Sequence, residues 1–282
     1  MVFKREWDAS CPRVWDRWEK DGRTWVIQDL RPEDDEKAVQ ILVDHLCTDE
    51  PLCNASGLIN DPISIASIEV VWRKTVAERM TLGCYTEVDG QMTLVALNAC
   101  LVMDKGETPD FKIEGKAWKN VYAVIDYIEE KKDAFEYLGL DRVLHALGLV
   151  VTREYRGNKL GGRILAAREP LCKSVGIKAT ATVFTGPASQ KLAAKCGFTT
   201  IAEATWSELA DAGLDFPRDD KVVKYMGCKE EFVNTFRDDH SVRPASQPNA
   251  RTFFNQPKHT GLIDRDVAGS IRIGHDWICL GI

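Results

Sequence analysis

The segment from Arg142 to Leu165 constrains the fold of this chain most, because an apolar strand passes there into a turn rich in glycine and cations. The nearly continuous apolar run over 144–151 predicts a strand that is covered on both faces. In the next helix, the N–H groups of the first turn lack partners within the helix and point outward. Three glycines allow a ligand to approach the backbone closely: Gly157, Gly161 and Gly162. This order of elements indicates a phosphate-binding turn; the alternative is an ordinary strand-to-helix connection.

The spacing of the glycines excludes two common phosphate-binding motifs. A nicotinamide fingerprint requires G-x-G-x-x-G and a P-loop requires G-x-x-x-x-G-K-[ST], and the segment contains neither pattern. It resembles instead motif A of the GNAT acetyltransferase superfamily, R/Q-x-x-G-x-G/A, which begins here at Arg156 and ends at Gly161. The resemblance implies that this turn binds the diphosphate of acetyl-CoA, as co-substrate. The residues that it assigns to acetyl-CoA are Arg156, Gly157, Asn158, Lys159, Leu160, Gly161 and Gly162.

Lys159 departs from the motif, because it stands where the middle glycine is usual. If this position needs a positive φ, a lysine there costs about 1 kcal/mol or more. If the residue takes ordinary helical angles, its ammonium group can instead face a phosphate. The sequence leaves both alternatives open.

The composition is that of a soluble globular protein, with 282 residues, 44% hydrophobic and 28% charged. The charged N-terminus and the lack of a long apolar run predict neither secretion nor membrane spanning, so we expect a cytoplasmic protein with no membrane partner. A net charge of −6 argues against nucleic acid as the main partner. The nine cysteines contain no C-x-x-C pair, which favours reduced thiols over a disulfide framework or a metal site.

The hydrophobic patterns predict the order β, α, α, ββ, α, β, α, β, α, ββ. Asp89-Gly90 predicts a hairpin between two strands, and 118–138 is predicted to form one long helix. Pro170 is expected to kink or shorten the helix that follows the glycine turn. The predicted class is α/β with a mixed sheet of about seven strands and helices on both faces. This is the order of the GNAT fold, whose central strands are splayed.

The chain is predicted to divide at residue 228. Residues 1–228 form the predicted GNAT N-acetyltransferase domain, whereas residues 229–282 are rich in turn formers and poor in periodic apolar residues. We interpret the second part as a loosely ordered C-terminal extension. The alternative is that its apolar end docks back or contacts a partner.

The tetrapeptide D-E-P-L at 49–52 extends the resemblance to the insect arylalkylamine N-acetyltransferase group. The resemblance implies that Glu50 is the general base, acting on the amine through ordered water. A primary alkylamine has a pKa of about 10, so it arrives as an ammonium and must lose a proton before it attacks a thioester. A carboxylate can attract this cation and accept its proton. The alternative is a solvated loop acid, which is how we interpret the neighbouring Asp49.

Two hydroxyl residues precede the G-F pair at 197–198 in a segment that resembles the strand, loop and helix beside the pantetheine arm. Many members of the superfamily place a tyrosine four residues before this glycine to protonate the leaving thiolate, but Ala193 stands there. The resemblance to the insect group instead assigns Thr185 and Ser189 to the catalytic site, where Ser189 can bond the CoA sulfur or, alternatively, help to open the helix. A CoA thiol has a pKa of about 8.5 and needs little acid assistance.

The strand before the glycine turn carries a bulge in this family, and its exposed N–H groups bind the thioester carbonyl and the pantetheine amides. The resemblance therefore places acetyl-CoA beside Leu149, Val150 and Val151, in an arrangement of the oxyanion-hole kind. His145 lies in the same strand and is interpreted as a core residue, as is His45.

Taken together, the resemblance implies an acetyl-CoA-dependent N-acetyltransferase of a small primary amine, either an arylalkylamine such as a biogenic amine or a polyamine-like amine. The amine is expected to attack directly in a ternary complex, without a covalent acyl-enzyme and without a metal. Two alternatives remain: a CoA-binding protein without catalysis, and a protein or peptide N-acetyltransferase. The oligomeric state is left open.

Overall fold

The computed structural model describes residues 3, 5–107 and 111–229. In this part of the chain, eight strands form one mixed sheet in the order β1-β2-β3-β4-β5-β6-β8-β7. Only β5 and β6 are parallel neighbours. The strands are β1 Val14–Lys20, β2 Arg23–Asp29, β3 Leu82–Val88, β4 Gln91–Asp104, β5 Arg142–Val151, β6 Ala179–Phe184, β7 Thr199–Thr205 and β8 Val222–Lys229.

Helices cover both faces of the sheet, as predicted. Along β5, Val150 packs against the core beneath the helices around α4 and α5, whereas Leu149 packs against α7 on the opposite face. This alternation explains why the strand is apolar throughout. The α-helices are α1 Asp35–Ile41, α2 Cys47–Asp49, α3 Pro51–Ala55, α4 Pro62–Ala77, α5 Lys116–Glu130, α6 Ala134–Leu138, α7 Leu160–Ser174, α8 Pro187–Lys195 and α9 Trp206–Asp211.

The sheet has one strand more than the predicted seven, because β1 pairs antiparallel with β2 at the sheet edge. Its sequence, V-W-D-R-W-E-K, carries charges at most solvent-facing positions, and this weakens the hydrophobic signal of an edge strand. The connecting residues, Asp21 at φ 51° and Gly22 at φ 72°, both adopt left-handed angles. An Asp-Gly pair in this conformation is a strong hairpin signal, so the strand was detectable from its turn.

One helix prediction was wrong, and helix α7 is not cut short at Pro170. The segment 118–138 forms two helices, because Asp133 interrupts the first and caps α6 by accepting from the N–H groups of Phe135 and Glu136. Helix α7 runs from Leu160 to Ser174 with Pro170 inside it. The lost backbone hydrogen bond is offset by tertiary packing, since Leu171 and Cys172 are both buried.

The central strands diverge. β5 and β6 pair only at Leu144 and Thr180, and beyond these residues each strand pairs only with its other neighbour. β5 also carries a bulge, since two residues separate Ala146 from Leu149 where one residue separates their partners in β4. We call the space between the carboxyl-terminal halves of β5 and β6 the splay. It confirms the predicted splaying of the central strands.

Glu129 of α5 is a largely buried acid with a predictable effect on stability. Its Oε1 atom is buried without a hydrogen bond in the described part of the chain, and burial, together with Asp126, raises the pKa of the carboxyl to about 8. Between pH 4.5 and about 8 the unfolded chain therefore loses this proton while the folded chain keeps it, so this group lowers stability as the pH rises.

We expect Glu129→Gln to raise the free energy of unfolding by roughly 2 kcal/mol at pH 8 and to change it little at pH 5. The figure is discounted for solvent screening, because a quarter of the side chain is exposed. Urea unfolding at the two pH values measures the difference. An equal change at both would show that the carboxyl does not hold its proton in the folded state.

The predicted C-terminal extension, 229–282, lies outside the described residues except for Lys229, which closes β8. The boundary at 228 therefore stays a prediction. None of the helices in the described ranges combines the length and the apolarity needed to cross a membrane.

Candidate active site

The glycine turn connects β5 to α7 through two residues in the left-handed region. Gly157 has φ 85° and Lys159, the N-cap of α7, has φ 61°. These angles bring the chain round so that α7 begins at Leu160. The N–H groups of its first turn, together with the positive end of the helix dipole, form a site suited to an anion such as a diphosphate. The turn is therefore suited to the diphosphate of acetyl-CoA, which the sequence analysis predicted there.

Of the two alternatives for Lys159, the structure shows the first: the residue has a positive φ, which is unfavourable for a lysine. We expect Lys159→Gly to raise the free energy of unfolding by about 0.5–1 kcal/mol, because the relief of left-handed strain exceeds the extra chain entropy of glycine. Chemical denaturation at neutral pH measures the change. A loss of stability would show instead that the lysine side chain contributes more than its backbone costs.

Asp49 links the D-E-P-L segment to the glycine turn. Its Oδ1 accepts from Arg153 at 2.7 Å, and its Oδ2 accepts from Arg156 at 2.7 Å and from Arg153 at 2.9 Å. Burial alone would raise the pKa of this carboxyl, but the hydrogen bonds and charges of the two arginines hold it below its usual value. The interpretation of Asp49 as a solvated acid is therefore wrong. Arg156 also donates to Val151 O at 3.1 Å, so it fixes the turn against the end of β5.

Glu50 lies on the other side of this segment and is fully buried. Its Oε1 accepts from the Thr185 hydroxyl at 2.5 Å, and its Oε2 accepts from the Cys53 N–H at 2.6 Å. Since Thr185 directly follows β6, this carboxylate is tied to the end of β6, while Asp49 is tied to the turn after β5. The two acids thus hold the D-E-P-L segment across the mouth of the splay. The interpretation of Glu50 as a solvated loop acid is excluded.

Burial raises the pKa of Glu50, and the hydrogen bonds from Thr185 and from the N–H of Cys53 oppose this shift. Desolvation penalises the charged carboxylate, so the buried group is a stronger proton acceptor than a solvated glutamate. The bond to Cys53 makes Glu50 the N-cap of α3 as well. Pro51 at the first helical position was a sequence signal for this cap that the sequence interpretation missed.

The two predicted hydroxyls lie in different environments. Thr185 donates to Glu50 and so orients the carboxylate. Ser189 is buried in the first turn of α8 and donates to Gly186 O at 2.7 Å. The geometry therefore brings Thr185 together with Glu50, whereas Ser189 supports the start of its own helix, as the alternative interpretation proposed.

The backbone of β5 presents donors to the splay. Thr152 N–H donates to Val95 O of β4 at 3.0 Å, and successive N–H groups of an antiparallel strand alternate in direction. Val150, paired with Leu97, therefore turns its N–H toward β4. Leu149 and Val151 turn theirs away from β4 and into the splay, where β6 does not pair with them. Two of the three predicted strand residues thus offer donors there.

Side chains that the sequence interpretation missed hold the bulge of β5. Trp72 Nε1 donates to Leu147 O at 2.7 Å, and Asn98 Nδ2 donates to Gly148 O at 2.7 Å. Gly148 has φ 139°, an angle that favours glycine. A tryptophan at an apolar helix position carries no sequence signal that its indole N–H bonds a distant carbonyl, so this support was not detectable.

Two thiols flank Glu50, and neither is suited to nucleophilic attack. Burial raises the pKa of Cys47 and that of Cys53 well above the value of a free thiol, and the charge of Glu50 adds to both shifts. Both side chains therefore remain protonated at neutral pH. Within the ranges that the structure describes, no group of three or more His, Cys, Asp or Glu side chains is placed to hold a metal ion.

Comparisons with known proteins agree with this fold. Residues 119–198 match the acetyltransferase (GNAT) family. A putative arylalkylamine N-acetyltransferase 7 from the yellow fever mosquito Aedes aegypti is 28% identical, with a TM-score of 0.74 over 81% of this chain and 100% of that chain. A search of curated protein sequences gave no significant match.

Two more distant structures share the fold. Arylalkylamine N-acetyltransferase 2 from Aedes aegypti is 18% identical, with a TM-score of 0.65 over 73% of this chain and 99% of that chain. A Drosophila melanogaster polyamine N-acetyltransferase is 17% identical, with a TM-score of 0.60 over the same shares. This chain therefore has the GNAT fold, its residues 119–198 match the GNAT family model, and its structure resembles that of an insect arylalkylamine N-acetyltransferase.

Proposed function

We propose that the protein transfers an acetyl group from acetyl-CoA to a small primary amine, by direct attack of the amine in a ternary complex. One observation carries the proposal. The buried Glu50 carboxylate is held across the splay by Thr185, while the adjacent Asp49 is held by the two arginines of the glycine turn. The proton acceptor is thereby linked to the proposed diphosphate site, because Glu50 is adjacent to Asp49 in the chain and Asp49 bonds the arginines of the turn.

Glu50 serves as the general base in this proposal. It attracts the ammonium form of the amine and takes one proton from it, directly or through water, so that the neutral nitrogen can attack. The Thr185 hydroxyl donates to one carboxylate oxygen and the Cys53 N–H to the other, which fixes the position of the base. Because its pKa is raised, the Glu50 carboxylate is a stronger base than a solvated carboxylate.

When bound, acetyl-CoA supplies the acetyl group as an activated thioester. The N–H groups of Leu149 and Val151 point into the splay and can donate to carbonyl oxygens there, as in an oxyanion hole. The turn at 156–162 would hold the diphosphate through its first-turn N–H groups and Lys159. The amine nitrogen forms the new bond to the acetyl carbon, the bond from carbon to sulfur breaks, and the CoA sulfur leaves as a thiolate. The second proton, which the nitrogen sheds on becoming an amide, passes through water to this thiolate and gives the free CoA thiol.

The proposed substrate class is an arylalkylamine or a polyamine-like amine. The support is resemblance, because the similar structures include arylalkylamine and polyamine N-acetyltransferases. Burial raises the pKa values of the Cys47 and Cys53 thiols, and this supports direct transfer over a route through an acyl-cysteine. We propose cytoplasmic action, without a metal, on a small-molecule partner.

A thiol-release assay on a panel of amines tests the proposal. We expect acetyl-CoA to yield free CoA thiol and the N-acetylated amine in equal amounts with at least one arylalkylamine or polyamine. Tight acetyl-CoA binding without thiol release from any amine would favour a CoA-binding protein. Peptides that outperform every small amine would favour a protein or peptide N-acetyltransferase.

A further inference from the structure

Arg168 of α7 is a buried cation beside the splay, and its side chain is fully inaccessible to solvent. Its Nε donates to Asn98 Oδ1 at 2.7 Å, and its Nη1 donates to Thr182 Oγ1 at 2.8 Å and Thr180 Oγ1 at 3.1 Å. In turn, the Thr180 hydroxyl donates to Leu144 O at 2.7 Å. One guanidinium group therefore connects α7 directly with β4 and β6, and through Asn98 and Thr180 with β5.

The arrangement is costly for the fold. Within the part of the chain that the structure describes, no carboxylate pairs with Arg168, and its hydrogen-bond acceptors include one amide oxygen, two hydroxyl oxygens and the Cys100 sulfur. Removing a guanidinium charge from water without an opposite charge is unfavourable, and apolar residues of similar volume often stabilise such a site. Core stability alone gives a poor reason for an arginine at this position.

The hydrogen-bond network of Arg168 ends at the peptide bond between Gly148 and Leu149, whose N–H points into the splay. Asn98 accepts from Arg168 through Oδ1 and donates through Nδ2 to Gly148 O, at 2.7 Å in each case. In a trans peptide the carbonyl and the following N–H point in opposite directions. Holding Gly148 O toward Asn98 therefore directs the N–H of Leu149 to the other side, into the splay.

The same guanidinium limits the separation of the strands. Leu144 and Thr180 form the single backbone pair between β5 and β6, and Arg168 holds two residues of β6 around that point through Thr180 and Thr182. Arg168 is thus placed to set both the direction of the Leu149 donor and the width of the gap that it faces.

We propose that Arg168 is a positioning residue, an inference that rests on the proposed function. It acts through Asn98 and the bulge of β5 to direct the Leu149 N–H toward the acyl carbonyl. It does not itself touch the substrate. Its role lies in the transfer step, because the donor that it aims acts on charge that develops during attack. Binding of the CoA diphosphate depends on the turn at 156–162 instead.

The test compares Arg168→Met with Arg163→Met. Arg163 is a second buried arginine of α7, paired with Asp16 at 2.9 Å and lying 4.2 Å over the Trp18 ring, so it controls for the loss of a buried cation from the same helix. We expect Arg168→Met to lower kcat about tenfold and to change the calorimetric Kd of CoA less than about threefold, because the donor is misaligned rather than removed. Arg163→Met should leave kcat near that of the wild type.

A spectroscopic measurement separates positioning from a structural role. Acetyl-CoA labelled with ¹³C at the thioester carbonyl, bound without amine, reports polarisation of that carbonyl by its donors. We expect a downfield shift on binding to the wild type and to Arg163→Met, and a smaller shift in Arg168→Met. Equal shifts in all three proteins, or equal kcat in the two variants, would overturn the proposal.

If Arg168→Met does not fold, Asn98→Leu and Thr182→Val test the two arms of the network separately. Asn98→Leu should lower kcat and reduce the carbonyl shift, since it breaks the link to Gly148. An Asn98→Leu protein with wild-type kcat and an unchanged shift would contradict the proposal. A wild-type protein that binds acetyl-CoA but transfers nothing would instead contradict the proposed function, and the carbonyl shift would still test Arg168.

Discussion

Glu50→Gln is expected to lower kcat by about a hundredfold or more and to leave the Kd of acetyl-CoA nearly unchanged. Glutamine keeps an oxygen that can accept from Thr185 or from the Cys53 N–H, so the cap of α3 and the position of the loop should survive. What is lost is the proton acceptor. Steady-state kinetics with a responsive amine, together with calorimetric titration of acetyl-CoA, measures both quantities.

The dependence on pH sharpens this prediction. Burial raises the pKa of Glu50, so the acidic limb of the wild-type kcat profile should lie above pH 4.5, the ordinary value for glutamate. Below that limb the carboxyl is protonated and cannot accept a further proton, and the limb should be absent in Glu50→Gln. Glu129→Gln is the matched control, because it replaces another acid with a raised pKa, which lies near His145 of β5 and does not contact Glu50 or Thr185 in the described residues. Equal turnover in the wild type and in Glu50→Gln would remove Glu50 from its role.

Lys159→Glu is expected to weaken acetyl-CoA binding by about 30-fold or more, because it reverses an exposed charge beside the proposed diphosphate site. The fold should tolerate the change. A carboxylate at the start of α7 interacts favourably with the helix dipole, and glutamate has the same backbone cost at φ 61° as lysine. Calorimetric titration at low salt measures the Kd, and the difference from the wild type should shrink as salt is added.

Lys178→Glu controls for the change in net charge. Lys178 is exposed and immediately precedes β6, at the end of the strand away from Thr185. Its reversal should leave the Kd of acetyl-CoA within about twofold of the wild type, because it lies far from the turn. If both variants weakened binding equally, the effect would come from net charge, and the turn would lose its assignment.

The sequence predicted those features that local patterns determine. The apolar run at 144–151, the Asp-Gly hairpin and the glycine turn are each encoded over a few residues, and the structure has all three. The edge strand β1 was missed because its solvent-facing side is charged. The break between α5 and α6 was missed because the capping of Asp133 outweighs a helical periodicity that continues through it.

The site was predicted less completely, because its key contacts join residues far apart in the chain. Glu50 and Thr185 were each identified by resemblance, but only the fold shows that they share a hydrogen bond across 135 positions. Asp49 was misinterpreted because nothing local reveals its two arginines. Arg168 was missed for the same reason, although the alternating threonines of A-T-A-T at 179–182 placed hydroxyls inside a strand that is otherwise apolar and buried.

A crystal structure of the protein with bound acetyl-CoA would show whether the coenzyme lies on the glycine turn and in the splay. We expect the diphosphate to lie on the first-turn N–H groups of α7 beside Lys159, and the thioester carbonyl to lie within hydrogen-bond distance of the Leu149 or Val151 N–H. We also expect the acetyl group to lie in the splay next to the Glu50 and Thr185 pair. Acetyl-CoA bound elsewhere on the protein, with the splay left empty at saturating concentration, would rule out the proposed function.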